Sequence, residues 1–324
     1  MSEMFSIGLW PFLLTLAVVV LAAPILIPIL KRLKFGQSIL KIGPSWHQGK
    51  SGTPTMGGMI FIVAIIATSA VFIKGIDGWL VAIVALCFGI IGFVDDFVKV
   101  VMKQNQGLTA MQKLLAQIGV IVVYLVLLNQ LGFISYNMLI PYTKFYINLG
   151  VFYIPITAFI MVGFVNAVNL TDGLDGLAAS VTLIVALFFA LAAWMLKKMD
   201  IYIFAVALTA GCLGFLFFNK FPAKVFMGDT GSLFLGGALS AVAVSLKLEL
   251  FLIIAGFIYA VEALSVIIQV TSFKLTGKRV FKMSPIHNHF EMCGMSEVKI
   301  VLMFTAITVL SCLVAYFGIY NYMI

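Results

Sequence analysis

Charge is scarce in this chain of 324 residues. Asp, Glu, Lys and Arg make up 10% of it, against about 25% in a typical soluble domain. That shortage excludes an ordinary water-soluble fold. Cysteine is scarce too, with four residues and no C-x-x-C pair, which argues against a disulfide scaffold and a thiolate zinc site. Cys87, Cys212 and Cys312 lie in apolar stretches and read as packing residues. No repeat, low-complexity tract or aromatic-basic pattern is present, so the net charge of +8 calls for no nucleic-acid partner. The N-terminus lacks a basic start, and no A-x-A-like site follows the first apolar run. That run reads as a spanning helix rather than a cleavable signal.

What is abundant is apolar sequence: 63% of residues, with a mean hydropathy of +1.17. Runs near 20 residues recur, each long enough for a hydrocarbon core of roughly 30 Å. The expectation is an all-α integral membrane protein of one domain, 1–324, with about ten transmembrane helices. Their approximate bounds are 7–30, 55–73, 78–94, 112–131, 151–168, 176–196, 201–218, 231–246, 249–272 and 298–322. Sorting the connections by side places 15 of the 20 basic residues in one set of loops and 5 in the other. The positive-inside rule makes the richer set cytoplasmic and both termini extracytoplasmic. Among the external connections only 132–150 is distinctive, and its Tyr, Asn and Ile suit a short hairpin.

The polar residues are not spread evenly. All three histidines and Asp95, Asp96, Asp172, Asp175 and Asp229 fall at the cytoplasmic side. A transporter also needs polar groups near mid-membrane; crowding at one face suggests chemistry at that surface. Asp95 and Asp96 close the third span, with Lys99 and Lys103 following. On a helix Asp95, Lys99 and Lys103 sit at about 0°, 40° and 80°, and Asp96 near 100°. Adjacent carboxylates repel unless a cation lies between them, and Mg²⁺ takes one or two carboxylates plus phosphate oxygens. An ordinary helix end with i,i+4 ion pairs is the alternative. Prenyltransferases use D-D-x-x-D, but here the fifth position is Lys99, which suits an anionic phosphate.

Asn166, Asn169 and Asp172 recur every third residue at the end of the fifth span, with Asp175 beyond and Gly173 and Gly176 allowing a turn. Amides and carboxylates together can read a nucleoside and meet a cation. In Phe226-Met-Gly-Asp229-Thr-Gly-Ser232 the acid sits between glycines, Thr230 or Ser232 is placed to cap the next helix, and Phe226 is placed to stack on a base. Lys50, Thr53 and Thr55 form a basic, hydroxyl-rich turn suited to phosphate. His287 and His289 flank Asn288 in a basic loop. Glu262 and Gln269 lie inside the ninth span, where an intramembrane carboxylate is either functional or a helix–helix hydrogen bond.

Taken in order, T-P-T-M-G-G, D-D-x-x-K, N-x-x-N-x-x-D-G-x-x-G-L, F-M-G-D-T-G-S and P-I-H-x-H-F-E resemble the phospho-N-acetylmuramoyl-pentapeptide transferase family. The resemblance covers essentially the whole chain. Some of its motifs are shared with the wider polyprenyl-phosphate hexosamine-1-phosphate transferases. One departure is Asn288, where the family usually has the middle of three histidines. The resemblance implies transfer of phospho-N-acetylmuramoyl-pentapeptide from UDP to undecaprenyl phosphate, with release of UMP and a requirement for Mg²⁺. It further implies an active-site cleft at the cytoplasmic face, the bacterial cytoplasmic membrane as the setting, a homodimer, and uridine-type nucleoside antibiotics as inhibitors.

A phosphate monoester has a second pKa near 6, so the lipid phosphate is mostly dianionic and needs little help from a base. Neutralising charge should dominate. Asp229 is the expected firmest Mg²⁺ ligand, with Asp95 and Asp96 assisting and Lys99 and His287 completing the catalytic set. The expected substrate contacts are Lys50, Thr53, Thr55, Lys103, Lys113, Asn166, Asn169, Asp172, Gly173, Asp175, Phe226, Gln269, His287 and His289. A covalent Asp–phosphosugar intermediate is compatible but not required. Two other readings stand beside this one: a sibling using a UDP-N-acetylhexosamine, and an ion-coupled transporter built around Glu262.

Overall fold

The computed structural model describes residues 2–32, 50, 52–102 and 107–323. Twelve helices follow in order: α1 (Ser2–Arg32), α2 (Gly58–Phe72), α3 (Ile76–Val101), α4 (Ala110–Gln130), α5 (Tyr153–Thr171), α6 (Leu177–Met195), α7 (Met199–Asn219), α8 (Gly228–Ser245), α9 (Glu249–Ala255), α10 (Phe257–Thr276), α11 (Ile286–Met292) and α12 (Glu297–Met323). Eight of them, α1, α3 to α7, α10 and α12, are long and apolar enough to cross a membrane. The chain is therefore a multi-pass membrane protein. The expected spans at 55–73 and 231–246 correspond to α2 and α8, of 15 and 18 residues, which are not among the eight.

Two local expectations met different outcomes. The 132–150 connection does contain a hairpin, β1 (Asn137–Leu139) against β2 (Tyr146–Asn148), antiparallel with Met138 opposite Ile147. The ninth span is not continuous. It breaks at Gly256 between α9 and α10, where a Cβ would press within 2.6 Å of the Phe164 ring. Glycine admits both the close approach and the local departure from helical geometry.

Helix α8 runs through the centre. Every residue from Thr230 to Val244 is buried, and α8 packs on α3 and α5. Its small residues explain its modest hydropathy and its position. Apolar lipid supplies no hydrophobic drive between helices, so close packing of small side chains takes that role. A Cβ on Gly92 of α3 would collide with the Asp229 carbonyl, and one on Gly58 of α2 with Gly231. These contacts bring the ends of α2 and α3 against the first turn of α8. The carboxylate-bearing ends of α3, α5 and α8 and the start of α12 thus meet at one end of the bundle, opposite the hairpin.

Candidate active site at the start of α8

The first turn of α8 lies against the last turns of α3. Oxygens of Asp95, Asp96 and Asp229 lie within 4.8 Å of one another, and Asp95 and Asp96 are only 1% and 3% exposed. Lys99 Nζ sits 2.6 Å from Asp95 Oδ2 and 2.7 Å from Asp229 Oδ2. Lys113, from the first turn of α4, reaches Asp229 Oδ2 at 2.8 Å and Asp95 Oδ2 at 3.4 Å. Asn169 donates to Asp229 Oδ1 at 2.7 Å and to Ser232 Oγ at 2.8 Å. Three sequence motifs therefore converge on Asp229.

The two acids of α3 have different partners. Asp96 accepts hydrogen bonds from Thr230 N at 2.9 Å, Thr230 Oγ1 at 2.7 Å and Asp229 N at 3.2 Å. It caps α8 from another helix, satisfying N–H groups that a helix start leaves open. The expected local cap by Thr230 or Ser232 is not what forms. Ser232 Oγ donates to Gly228 O at 3.0 Å instead, and Thr230 is a donor to Asp96. Asp95 accepts from Leu108 N at 2.8 Å through Oδ1. Its other oxygen is buried without a hydrogen bond of good geometry, although Lys99 pairs with its charge. A buried carboxylate oxygen in that condition, beside two further acids, fits an Mg²⁺ donor set.

A second network lies alongside. Lys50 Nζ pairs with Asp175 Oδ1 at 2.8 Å and with Glu297 Oε1 and Oε2 at 2.6 and 2.8 Å. Asp175 Oδ2 accepts from Ala223 N at 2.9 Å, and Asn219 Oδ1 accepts from Gly176 N at 3.1 Å. Asp172 lies between the networks. Burial, then the charges of Asp229, Asp96 and Asp175, push its carboxyl well above the usual range, against a hydrogen bond from Gly228 N. Together the two networks and Asp172 hold six carboxylates against three lysines, a strong preference for added positive charge.

The remaining motifs frame these networks. The T-P-T-M-G-G turn is stitched to F-M-G-D by backbone bonds: Phe226 N to Pro54 O and Gly57 N to Phe226 O at 2.8 Å, and Gly58 N to Met227 O at 3.0 Å. Gly228 has φ +74°, and a Cβ there would lie 2.5 Å from Asp96 Oδ2 and 2.8 Å from Thr55 Oγ1. Thr55 and Phe226 thus border the first turn of α8. His287 is buried, with Nδ1 3.0 Å from Glu262 Oε1. Its ring rests on Gly173, where any Cβ would strike Nε2. The intramembrane Glu262 is therefore engaged with a histidine of the site.

Other expected contacts lie elsewhere. Asn166 pairs with Gln117, Nδ2 to Oε1 at 2.7 Å. Gln269 holds the loop before α11, accepting from Val280 N and Phe281 N and donating to Phe281 O. His289 accepts from Lys282 N at 3.2 Å and packs on Phe281 and Phe290, so it also organises that loop. Thr53 is tied through its backbone N–H to Lys50 O. Lys103 lies outside the described residues. Glu297 and Asn219 were not anticipated from sequence. Glu297 opens a span without a neighbouring motif, and Asn219 stands alone at a helix end.

Comparison with known proteins adds an independent line. A family profile described as glycosyl transferase family 4 matches residues 78–247. The chain is 50% identical over 300 residues to a phospho-N-acetylmuramoyl-pentapeptide-transferase of Clostridium botulinum, covering 91% of each chain. It is 51% identical over 305 residues to the Clostridium beijerinckii protein of that name, covering 92% of each. To the Acetivibrio thermocellus protein of that name it is 49% identical over 313 residues, covering 95% of this chain and 94% of the other.

Proposed function

The chain belongs to the phospho-N-acetylmuramoyl-pentapeptide transferases of glycosyl transferase family 4, and from that premise we propose that it transfers phospho-N-acetylmuramoyl-pentapeptide from UDP to undecaprenyl phosphate, releasing UMP. The observation that carries the chemistry is the convergence of Asp95, Asp96 and Asp229 with Lys99 and Lys113. Three acids and two bases packed this closely suit a cation and phosphates together.

An oxygen of the lipid phosphate attacks the β-phosphorus of the uridine substrate. A new P–O bond forms, the bond to the α-phosphate oxygen breaks, and UMP leaves with that oxygen and its electron pair. Asp229 and Asp95 would hold Mg²⁺, with Asp96 holding the helix start that carries Asp229. Mg²⁺ bound there would neutralise charge developing on the phosphate oxygens. Lys99 and Lys113 balance the charge of the acids and of the incoming phosphates. Asn169 orients Asp229. Asp172 and Asp175 with Lys50 serve the nucleotide, and Phe226 stacks on its base. His287, held by Glu262 through Nδ1, turns its other ring edge toward the phosphates.

The same reading places ten spans in the bacterial cytoplasmic membrane, with both termini outside and the carboxylate end in the cytoplasm. A homodimer and inhibition by uridine-type nucleosides belong to it as well. The test is Asp229→Ala. Mg²⁺-dependent UMP release is expected to vanish while the protein still purifies as folded. Retained Mg²⁺-dependent turnover would sink the assignment.

A further inference from the structure

The segment between α11 and α12 touches the 172–176 turn twice. His287, at the start of α11, rests against Gly173. Ten residues on, Glu297 opens α12 and accepts a hydrogen bond from Asp175 N. Glu297 is 9% exposed, and both of its oxygens also contact Lys50 Nζ. Lys50 is in turn paired with Asp175 Oδ1 at 2.8 Å. Two carboxylates of like charge are thus held together by one ammonium and one backbone N–H.

We infer that Glu297 is a positioning residue for the nucleotide end of the site, acting by fixing Lys50 and the Asp172–Gly176 turn rather than by touching substrate. The inference rests on the proposed uridine reading. Three observations carry it. The first is that, among the described residues, Glu297 is the one side chain bonded to both Lys50 and the turn backbone. Together with the Lys50–Asp175 pair it ties the basic residue before the T-P-T-M-G-G turn to the 172–176 turn. The second is charge. With Asp175 alone, Lys50 has a single counterion and freedom to swing; with both acids its head is held at a defined point. The third is connectivity. His287 and Glu297 bracket one short segment, and both touch the same turn, at Gly173 and at Asp175 N.

The substrate class addressed is the uridine nucleotide, not the lipid phosphate. The acids and lysines assigned to the phosphates, Asp95, Asp229, Lys99 and Lys113, share no bond with Glu297 among the described residues. Loss of the clamp is therefore expected to appear in nucleotide affinity, with the lipid step spared.

The experiment uses the full-length purified protein and UMP as probe. Glu297→Gln keeps an acceptor for Asp175 N but removes the negative charge that pairs with Lys50. Calorimetric titration is expected to show UMP binding weakened about tenfold to hundredfold, the range for a lost hydrogen bond to a charged group. KM for the uridine substrate should rise in parallel, with KM for the polyprenyl phosphate within twofold of the unaltered protein. Glu297→Asp, which keeps the charge but shortens the reach, should bind UMP with intermediate affinity. Lys50→Met combined with Glu297→Gln should bind no worse than Lys50→Met alone, because both act through one contact. Unchanged UMP affinity in Glu297→Gln, or an equal rise in both KM values, overturns the inference. If that variant does not fold, unaltered UMP affinity in Glu297→Asp overturns it. Failure of the unaltered protein to bind UMP at all overturns the uridine reading itself, and this inference with it.

Discussion

Asp96 offers the sharpest prediction, because its geometry separates capping from metal binding. Its carboxylate accepts three hydrogen bonds from the first turn of α8, at 2.7, 2.9 and 3.2 Å. Asp96→Ala removes the acceptor and leaves two backbone N–H groups and a hydroxyl buried. A lost N-cap costs about 0.5–2 kcal/mol, and a buried unsatisfied donor about 1–3 kcal/mol. A total of about 2–4 kcal/mol is expected, large enough to loosen the turn that carries Asp229. Asp96→Asn is the gentler change. It keeps one acceptor oxygen, loses the charge that favours a helix N-terminus, and points an amide N–H₂ at other donors. If Asp96 mainly holds Asp229 in place, the Asn variant should bind divalent metal about tenfold to hundredfold more weakly, as when an outer-shell partner is lost. Mn²⁺ titration followed by electron paramagnetic resonance, without substrate, measures this directly. Weaker but saturable Mn²⁺ binding, with a lowered unfolding temperature, is the expected outcome. Complete loss of Mn²⁺ binding at an unchanged unfolding temperature would refute the capping role and make Asp96 a direct ligand.

Three further outcomes are expected. Asp172 carries a carboxyl whose folded pKa lies well above its ordinary value, so the folded state keeps its proton longer than the unfolded chain does. Its stabilising contribution is complete below about pH 4 and is lost as pH rises through the folded value. Asp172→Asn should therefore raise the metal-free unfolding temperature at pH 8 more than at pH 5; an equal change at both would contradict the assignment. Gly228→Ala forces an alanine to φ +74° against Asp96 and Thr55, at about 1–2 kcal/mol for the backbone alone. UMP release should collapse while helix content by circular dichroism holds, and normal turnover would show that the turn is not fixed by this contact. Glu262→Gln removes the charge that orients His287 and should lower kcat about tenfold to hundredfold, with little change in UMP affinity. An unchanged kcat would show that the charge of Glu262 does not set the position of His287.

How much of this was legible in sequence varies by element. Apolar run length was enough to locate the long helices, since a bilayer fixes the length a helix needs. The 132–150 hairpin was visible in its Tyr, Asn and Ile content. The shared face of Asp95 and Lys99 also followed from helical spacing, and the 2.6 Å pair agrees with it. What spacing cannot supply is a partner far along the chain. Asp96 and Thr230 are 134 residues apart, and nothing local to either distinguishes an inter-helix cap from a metal ligand. For Gln269, a polar group inside a span, and His289, an imidazole in a basic loop, spacing gives no sign of the partners they take within the chain. Their bonds go to loop backbone, which the chain must satisfy wherever it is not helical. Glu297 was silent for a related reason. A single acid at a helix start is the commonest of features, and its meaning comes only from Lys50 and Asp175 folding onto it. The break at Gly256 escaped because glycine within an apolar run is compatible with an unbroken span.

The central claim is that this chain moves a phosphosugar from a uridine nucleotide to a lipid phosphate at a cation-dependent carboxylate site centred on Asp229. The most direct measurement is UMP release by the purified protein given UDP-N-acetylmuramoyl-pentapeptide and polyprenyl phosphate, with Mg²⁺ and with Mg²⁺ removed by chelation. UMP and the lipid-linked product should appear in equal amounts only when both substrates and Mg²⁺ are present, and Asp229→Ala should abolish both. UMP release that persists after chelation, or that proceeds as fast from UDP-N-acetylglucosamine, would contradict the account.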